Sequence, residues 1–482
     1  MPFNLLERRW LPVLTRDGPD RMSLRGALAR AHEVRLAGLP EDHTALLRLL
    51  LALYASAARP ADTGEWDAVW RSPSLESERT GAYLDAHADR FDLFSPTRPF
   101  WQCAALSEPN REPDVLEIAT WGSGVAQFAS HLLLPPEPMA PQDAAVALVL
   151  MQSWHPGGIQ SGHPDDPASR AGKVYGGKAS PLSSITHLRI TGQTLKDELL
   201  LNCPPGQRSF GDRPVWERDA PAAPMLAREP DGPLDLWTWP TRRVRLFPDE
   251  DGHVTDVAVH DGDRPADPGA AAVRWDPGAA VTARGTRLAI TDAGRQPLPW
   301  AAARILAPEH DSGGCTVLEH LAAAAERGTL PPQSTWQGVA LRAEHTTAHR
   351  AALSGIVALH TALGPAGVLG APGRRAAFAE MAALPWLVQR QITRTASEAL
   401  GIISAIAAAR PGLSLAAHLL YAWEEFAENP DAGADGWVQV LAAAVDRVAD
   451  SAGGDLMAAA RIRTDALATL PAPVDLPEEG RP

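Results

Sequence analysis

The sequence predicts an α+β protein in which a mixed N-terminal domain, residues 1–371, precedes a C-terminal four-helix bundle, residues 372–482. Helical and strand-like segments alternate over residues 1–215. Short β-like runs separated by Gly and Asp turns follow over residues 216–345. The last part of the chain is rich in alanine and carries apolar residues at helical spacing. We therefore expect antiparallel β regions with long loops first, and helices at the end.

The first elements can be placed from caps and periodicity. Ser23 is a candidate N-cap for a helix over residues 24–34. A strand is expected over residues 184–190, and a short helix over residues 195–201. A buried helix is predicted around four leucines at helical spacing, Leu46, Leu49, Leu50 and Leu53. In the region that follows, the β-like runs cover residues 244–246, 254–259, 272–275 and 287–290.

Four helical segments are predicted at the end of the chain. The first runs from about residue 374 to about residue 409, with a kink or break at Pro385. The last covers residues 456–470, and the Pro- and Glu-rich tail from Pro471 is expected to be disordered. Two apolar stripes mark the helices between them, Leu415, Leu419, Trp423 and Phe426 on one and Trp437, Leu441, Val445 and Val448 on the other.

Size and composition limit the class of protein. The chain has 482 residues and a formal net charge of −14. This charge counts against a free-standing, non-specific nucleic-acid binder, because phosphate binding needs clustered cations. It does not exclude a subunit that reaches nucleic acid through one local patch. Three cysteines far apart in sequence argue against a disulfide framework and against a four-cysteine zinc site. Without a signal-peptide pattern or a bilayer span, the expected location is the cytoplasm.

The lysines are unevenly placed. Of the 44 Lys and Arg residues, three are lysines, Lys173, Lys178 and Lys196, and the first two flank Gly176-Gly177. A GC-rich genome that replaces Lys with Arg explains this distribution. A local phosphate-facing loop explains it as well.

Residues 172–178 fit the spacing G-x-x-x-x-G-K of a phosphate-binding loop. Ala179 stands where a working loop needs the Ser or Thr that holds magnesium, and Ser180 comes one position late. The motif also follows a polar loop, whereas a P-loop follows a buried strand. A P-loop-like NTPase is therefore an alternative only, beside a glycine loop that lets another backbone come close and an ordinary flexible loop.

Two groups of polar residues could hold a metal or move protons. His345 and His349 stand at i, i+4, the spacing of two zinc ligands on a helix, but no third ligand is obvious. The second group contains His155, His163, Asp165 and Asp166. A metal nuclease site would explain these residues, but turn chemistry explains the Asp-Asp-Pro run at residues 165–167 equally well. The sequence assigns no catalytic residue, no metal site and no cofactor.

Two strings carry a family resemblance. Residues 3–13 read FNLLERRWLPV, and residues 91–102 read FDLFSPTRPFWQ. A Leu-Trp-x-x-Pro string follows at residues 236–240, and a glycine-to-helix segment lies near residues 338–349. With the helical C-terminal domain, these features resemble the CasA family, the large subunit of the type I-E CRISPR surveillance complex Cascade.

The resemblance implies a non-catalytic subunit with several partners. Such a subunit sits beside other Cascade subunits, near the 5′ handle of the guide CRISPR RNA. It recognises the protospacer-adjacent motif in double-stranded target DNA, largely from the minor groove. It inserts a wedge that starts strand separation into an R-loop, and it recruits the helicase–nuclease effector. No membrane contact is implied.

The resemblance also implies a glycine loop that lies along the DNA minor groove. Either Gly157-Gly158 or Gly176-Gly177 matches it, and the second pair, with Lys178 beside it, is favoured.

Other roles are implied for residues elsewhere in the chain. The contact with the RNA handle and a neighbouring subunit falls on Phe128, Ala129 and Ser130. The wedge falls on Arg342, Glu344, His345 and Thr346, with His345 where family members commonly carry Gln. DNA contacts of the bundle fall on Arg374, Arg375, Arg390, Arg394, Arg461 and Arg463. Two rival functions stay open: an enzyme, either a P-loop-like NTPase or a metal nuclease, and a purely structural subunit.

Overall fold

The computed structural model describes residues 2–75, 77–121, 137–282, 284–291, 297–306, 314–345, 353–401, 413–452 and 455–471. The helices of these residues are α1 (Leu24–Ala29), α2 (Pro40–Ala58), α3 (Thr63–Arg71), α4 (Glu78–Ala86), α5 (Pro141–Trp154), α6 (Leu195–Asn202), α7 (Pro233–Trp237), α8 (Pro268–Trp275), α9 (Thr316–Glu326), α10 (Ala366–Leu369), α11 (Pro372–Leu400), α12 (Ala416–Glu428), α13 (Pro430–Asp450) and α14 (Leu456–Leu467). The strands are β1 (Leu11–Thr15), β2 (Gly18–Met22), β3 (Arg35–Leu36), β4 (Gly158–Ser161), β5 (Ser169–Arg170), β6 (Lys173–Gly177), β7 (Thr186–Thr191), β8 (Arg242–Pro248), β9 (Val254–Asp261), β10 (Thr335–His345) and β11 (Leu353–Pro365).

The strands form small sheets. Three of these sheets have three strands, in the orders β2-β1-β3, β11-β10-β7 and β4-β6-β5, and β8 pairs with β9 in a two-stranded sheet. The pairs β1–β2, β4–β6 and β8–β9 are antiparallel. The predicted α+β class with antiparallel β regions is therefore confirmed.

The chain forms two compact units. One contains residues 1–187, 192–278 and 341–358. The other contains residues 188–191, 279–340 and 359–482, and it includes the C-terminal helices. The domain boundary expected at residues 371/372 stays a prediction.

The two strings of the family resemblance are paired in the core of the first unit. The backbone N–H of Leu5 donates to the Phe91 carbonyl at 2.8 Å, and the N–H of Leu93 donates to the Phe3 carbonyl at 3.0 Å. Leu5 and Phe91 are completely buried. These strings therefore build the fold, because their apolar side chains and their backbone groups are used in packing.

The C-terminal helices pack around an aromatic cluster in the second unit. The rings of Trp423, Phe426 and Trp437 lie with centroids 5.6–5.7 Å apart, and Phe378 of α11 stacks on Phe426 at 5.6 Å. The indole N–H of Trp437 donates to the Met381 carbonyl at 3.0 Å, so its polar group is satisfied inside the core. Both predicted apolar stripes are buried, which confirms the helical bundle.

Several local predictions are confirmed. Ser23 caps α1 by accepting the Gly26 N–H, although the helix ends at Ala29 and not near residue 34. The leucine repeat lies in α2 and is buried. The strand β7, the helix α6 and the pair β8–β9 occur where the sequence placed them. The first predicted C-terminal helix is α11, but Pro385 does not break it and it ends at Leu400, not near residue 409. Residues 402–409 of the predicted span lie outside the described residues.

Three local predictions are wrong. Residues 272–275 belong to the helix α8, because the Asp267 side chain accepts the N–H groups of Gly269 and Ala270 and Pro268 opens the first turn. Within the described part of the chain, residues 287–290 are not a strand, and Arg287 pairs with Val281 in an isolated bridge. The glycine-to-helix segment near residue 338 is the strand β10 as far as it is described, since it pairs with two other strands.

Two classes of feature are absent from the part of the chain that the structure describes. No helix there has the length and hydropathy needed to cross a bilayer. Among the described residues, no group of three or more His, Cys, Asp or Glu side chains is placed to hold a metal ion.

Candidate nucleic-acid interface

Both glycine pairs that matched the implied glycine loop lie in one place. Gly158 opens β4 and Gly177 closes β6, and these two residues are partners in the antiparallel register. A bulge interrupts the pairing between Gly158 and Gln160. The two alternatives left by the sequence are therefore paired segments of the one three-stranded sheet β4-β6-β5, and we call residues 157–178 the glycine hairpin.

Two of these glycines let the two sides of the hairpin approach each other. A Cβ atom on Gly157 would lie 2.6 Å from the Gly177 carbonyl oxygen and 3.0 Å from the Ala179 nitrogen. A Cβ atom on Gly177 would lie 2.9 Å from the Gly158 carbonyl oxygen. Any side chain at either position would collide with backbone, so glycine is required there for packing.

The other two glycines have backbone conformations that side chains rarely adopt. Gly158 has a φ of 104° and Gly176 a φ of 69°. A Cβ atom on Gly176 would meet nothing within 4 Å, so this face of the hairpin is open. Lys173 and Lys178 are exposed at the two ends of the same stretch.

Two exposed apolar side chains on the hairpin were missed by sequence reasoning. Tyr175 is 59% exposed and Ile159 is 46% exposed. Both stand beside a glycine of positive φ, at the place where the bulge interrupts the register. The signal in the sequence was an aromatic and a β-branched residue next to glycine pairs, which is weak without knowledge of the pairing.

The geometry of a P-loop is not present at residues 172–178. Lys173–Gly177 form a strand of the hairpin, whereas a P-loop lies between a strand and a helix. The hydroxyl of Ser180 donates to the carbonyl of Ser153 and is buried, so it does not face a nucleotide site. The spacing G-x-x-x-x-G-K is therefore coincidental here.

The residues of the implied wedge end the strand β10. Arg342 and Glu344 form an ion pair at 2.9 Å, which offsets the carboxylate charge near the end of the strand. His345 Nε2 lies 3.3 Å from the Ser183 carbonyl oxygen. His345 closes a strand, so the helical i, i+4 zinc spacing with His349 does not apply at this residue. Thr346 and His349 lie outside the described residues, as do Phe128, Ala129 and Ser130.

The bundle arginines fall into two groups. Arg461 pairs with Glu398, Arg463 with Asp446 and Asp450, and Arg374 with Asp431, while Arg375 donates to the Leu369 carbonyl. Arg390 and Arg394 form no ion pair within the described part of the chain. Both line a cavity of about 920 Å³ together with Trp386, and the Arg390 guanidinium lies 5.6 Å from the Trp386 ring. These two arginines have the most freedom to meet an anion.

A buried polar cluster stands behind the glycine hairpin. It contains His155, Arg242 and Asp261, all of which are buried. The Nε–H of Arg242 donates to His155 Nδ1 at 3.1 Å. Burial and the Arg242 charge hold the pKa of His155 well below its ordinary value. Burial raises the pKa of Asp261, although Arg242 and Arg264 oppose that change.

Acid should destabilise the chain through His155. The unfolded chain binds a proton at this histidine below pH 6.5, and the folded chain does not, so the free energy of unfolding falls as the pH is lowered from 6.5. The expected loss is about 1.4 kcal/mol per pH unit until the folded-state pKa is reached. Denaturant unfolding of the wild type and of His155→Gln at several pH values measures it. Since Asp261 titrates in both proteins, the difference between the two slopes isolates the histidine. Equal slopes would contradict the neutral buried imidazole.

Comparison with protein families finds one match that covers most of the chain. The family model for CRISPR-associated protein Cse1 matches residues 4–346. A curated relative, CRISPR-associated protein CasA/Cse1 of Thermus thermophilus, is 31% identical over 269 residues, which are 52% of this chain. The match covers 50% of that relative, so the chain spans about half the length of the curated relative it matches.

Solved structures match over nearly the whole chain. Cse1 of Thermobifida fusca has a TM-score of 0.75 at 22% identity, with 97% of each chain covered. CasA (Cse1) of Thermus thermophilus has a TM-score of 0.71 at 22% identity, covering 97% of this chain and 98% of that one. A chain of a CRISPR RNA-guided surveillance complex has a TM-score of 0.68 at 19% identity, covering 97% and 99%. At these identities the likeness shows a shared fold.

Proposed function

This chain belongs to the Cse1 family of CRISPR-associated proteins, and on that premise we propose that it recognises the protospacer-adjacent motif in double-stranded DNA as the large subunit of type I-E Cascade. The family resemblance identified from the two N-terminal strings is confirmed. Recognition of the motif, opening of the duplex and recruitment of the effector are parts of the proposal.

The observation that carries the proposal is the open face of the glycine hairpin. Gly176 has an open side, exposed Tyr175 directly precedes it, and exposed Lys178 follows two positions later. A backbone without side chains can approach the floor of the minor groove closely. The minor groove mainly separates A·T from G·C pairs, so a backbone that meets it tolerates related motifs. The nearby lysine supplies a cation for phosphate.

The net charge of −14 fits a subunit that binds DNA locally. A strongly acidic chain repels DNA over most of its surface, so affinity has to come from a small patch and from other subunits of the complex. The proposed partners are therefore the other Cascade subunits, the guide CRISPR RNA, the double-stranded target and the helicase–nuclease effector.

The end of β10 is proposed to start strand separation. Unstacking one base step costs a few kcal/mol, and binding by the rest of the complex can offset this cost. Guide RNA pairing then replaces DNA pairing at nearly equal free energy. A small initial opening of the duplex can therefore determine whether the R-loop forms. This role needs contact and no bond-breaking chemistry, in keeping with a non-catalytic subunit.

Arg390 and Arg394 are the bundle arginines that we expect to contact DNA phosphates. Substituting both with Gln should reduce the magnitude of the negative slope of log Kobs against log[salt] by about two for target DNA bound to the complex, because each lost phosphate contact removes about one released counterion. The matched control is the double substitution Arg461→Gln and Arg463→Gln, which removes arginines already paired with carboxylates and should leave the slope unchanged. Equal slope changes in both variants would contradict this assignment.

The experiment that tests the proposed function compares complexes with and without this chain. Matched targets carry either an intact or a scrambled flanking motif. If the chain tightens binding only to the intact motif, it is the recognition subunit. If it tightens both equally, it is the structural brace that the sequence left as a rival. Nucleotide turnover lost on Lys178→Ala would support the enzyme alternative instead.

A further inference from the structure

The glycine hairpin is held from behind by one guanidinium. Arg242 is 2% exposed. Its Nη2 donates to the Pro156 carbonyl at 2.5 Å, and both Nη atoms lie 3.3 Å from the Lys178 carbonyl oxygen. Nη1 donates to the Thr241 carbonyl at 2.6 Å, and Nε donates to His155.

Two of the carbonyls that accept hydrogen bonds from Arg242 flank the glycine pairs. Pro156 immediately precedes Gly157-Gly158, and Lys178 immediately follows Gly176-Gly177. A single planar group therefore connects the two sides of the hairpin at the end where Gly158 pairs with Gly177. The guanidinium therefore bridges the backbone on both sides, next to the Gly158–Gly177 pair.

Asp261 completes the arrangement. Its Oδ1 lies 3.6 Å from Arg242 Nη1 and would lie 3.2 Å from a Cβ atom on Gly177. Asp261 also pairs with Arg264, so one buried carboxylate serves the two guanidinium groups of Arg242 and Arg264. Burying a guanidinium is unfavourable unless its donors and its charge are satisfied, and Arg242 meets both conditions.

We propose that Arg242 is a positioning residue that fixes the spacing of the two glycine segments, and thereby the shape of the open face that meets the DNA flanking motif. The inference rests on the proposed function and adds a residue that does not itself touch DNA. Lysine cannot replace it, because an ammonium has no planar fork to reach both carbonyls and His155 at once.

The neighbouring residue provides a matched control. Arg243 follows on the same strand, is 3% exposed and is buried with an acidic partner, Asp263, at 2.5 Å. Successive side chains of a strand point to opposite faces, so Arg243 does not support the hairpin. Its Nε donates to the Ala222 carbonyl at 2.8 Å.

The test measures the affinity ratio between intact and scrambled motifs for the assembled complex, together with the melting temperature of the chain. Arg242→Lys should lower the ratio by about tenfold, the effect of losing charge-assisted hydrogen bonds, and leave binding to the scrambled target unchanged. Arg243→Lys should lower the melting temperature similarly and leave the ratio unchanged. A ratio that falls equally in both variants, or that Arg242→Lys preserves, would overturn the inference.

Two further outcomes separate this inference from the proposed function. If the wild-type complex shows no motif dependence, the proposed function fails. If the wild type discriminates and Arg242→Lys discriminates equally, the positioning role alone fails. Should Arg242→Lys not assemble, Asp261→Asn carries the test, because it keeps the donors of Arg242 and removes their charge partner. A reduced ratio in Asp261→Asn supports the role, and an unchanged ratio overturns it.

Discussion

Replacing Gly157 with alanine should weaken binding of the assembled complex to target DNA with an intact flanking motif by about tenfold to a hundredfold. The added methyl group would lie 2.6 Å from the Gly177 carbonyl oxygen, which is backbone and cannot swing away as a side chain could. Relief of this collision must separate the two sides of the hairpin and move Gly176. Binding to a scrambled motif should change little, because the general affinity comes from elsewhere in the complex.

Gly172→Ala is the control for this substitution. Gly172 lies in the same hairpin with a φ of 72°, and a Cβ atom there meets nothing within 4 Å. Alanine in that conformation costs about 1–2 kcal/mol of strain without forcing the two sides apart. Loss of motif recognition in Gly172→Ala equal to that in Gly157→Ala would show that the spacing of the hairpin is not what matters.

Replacing Trp437 with alanine should cost the helical bundle about 3–5 kcal/mol of stability. The indole is buried against Trp423, Phe426 and Trp300, and its N–H bond to Met381 would be lost as well. The bundle should lose its protection from amide hydrogen exchange before the rest of the chain does, which exchange followed by mass spectrometry can resolve.

Tyr421 provides the comparison for Trp437. It belongs to α12, one of the three helices that carry the aromatic cluster, and is 83% exposed. Tyr421→Ala should change the stability by less than about 0.5 kcal/mol. If Trp437→Ala were equally mild, the aromatic cluster would not be the core of the bundle.

Secondary structure was predicted best from the sequence where the spacing of apolar residues matches the buried face of the element. The leucine repeat of α2 and the stripes of Trp437 and Trp423 have the helical period, and helix formation depends mainly on neighbours in sequence. The run at residues 272–275 was misassigned because its composition suits a strand. The N-cap at Asp267 and the proline that follows it favour the helix instead.

The candidate site was harder to predict from the sequence, because it depends on pairing between residues that are distant in the chain. Gly157-Gly158 and Gly176-Gly177 competed as alternatives in the sequence, whereas the register of β4 and β6 makes them partners. The role of Arg242 had no local signal, since it contacts carbonyls more than 60 residues earlier in the chain. Strand register is a tertiary property that a linear pattern does not specify by itself.

The strings that carry the family resemblance and the glycine hairpin lie in different parts of the molecule. The N-terminal strings that identify the family are paired with each other and buried, so they report the fold. The glycine hairpin proposed to read the motif carries instead an open face at Gly176 and the exposed side chains of Tyr175 and Lys178. Surface segments of this kind vary more than a core does, which explains why the strings identified the family more clearly than they located its interface.

Photocross-linking from position 175 tests the central claim most directly. A photoreactive phenylalanine derivative replaces the exposed ring of Tyr175, and the assembled complex is irradiated on target DNA with an intact or a scrambled flanking motif. We predict cross-links to nucleotides of the intact motif, and their loss when the motif is scrambled. Cross-links that map to guide RNA or to another subunit, with none to the motif, would contradict the claim that the glycine hairpin reads the DNA.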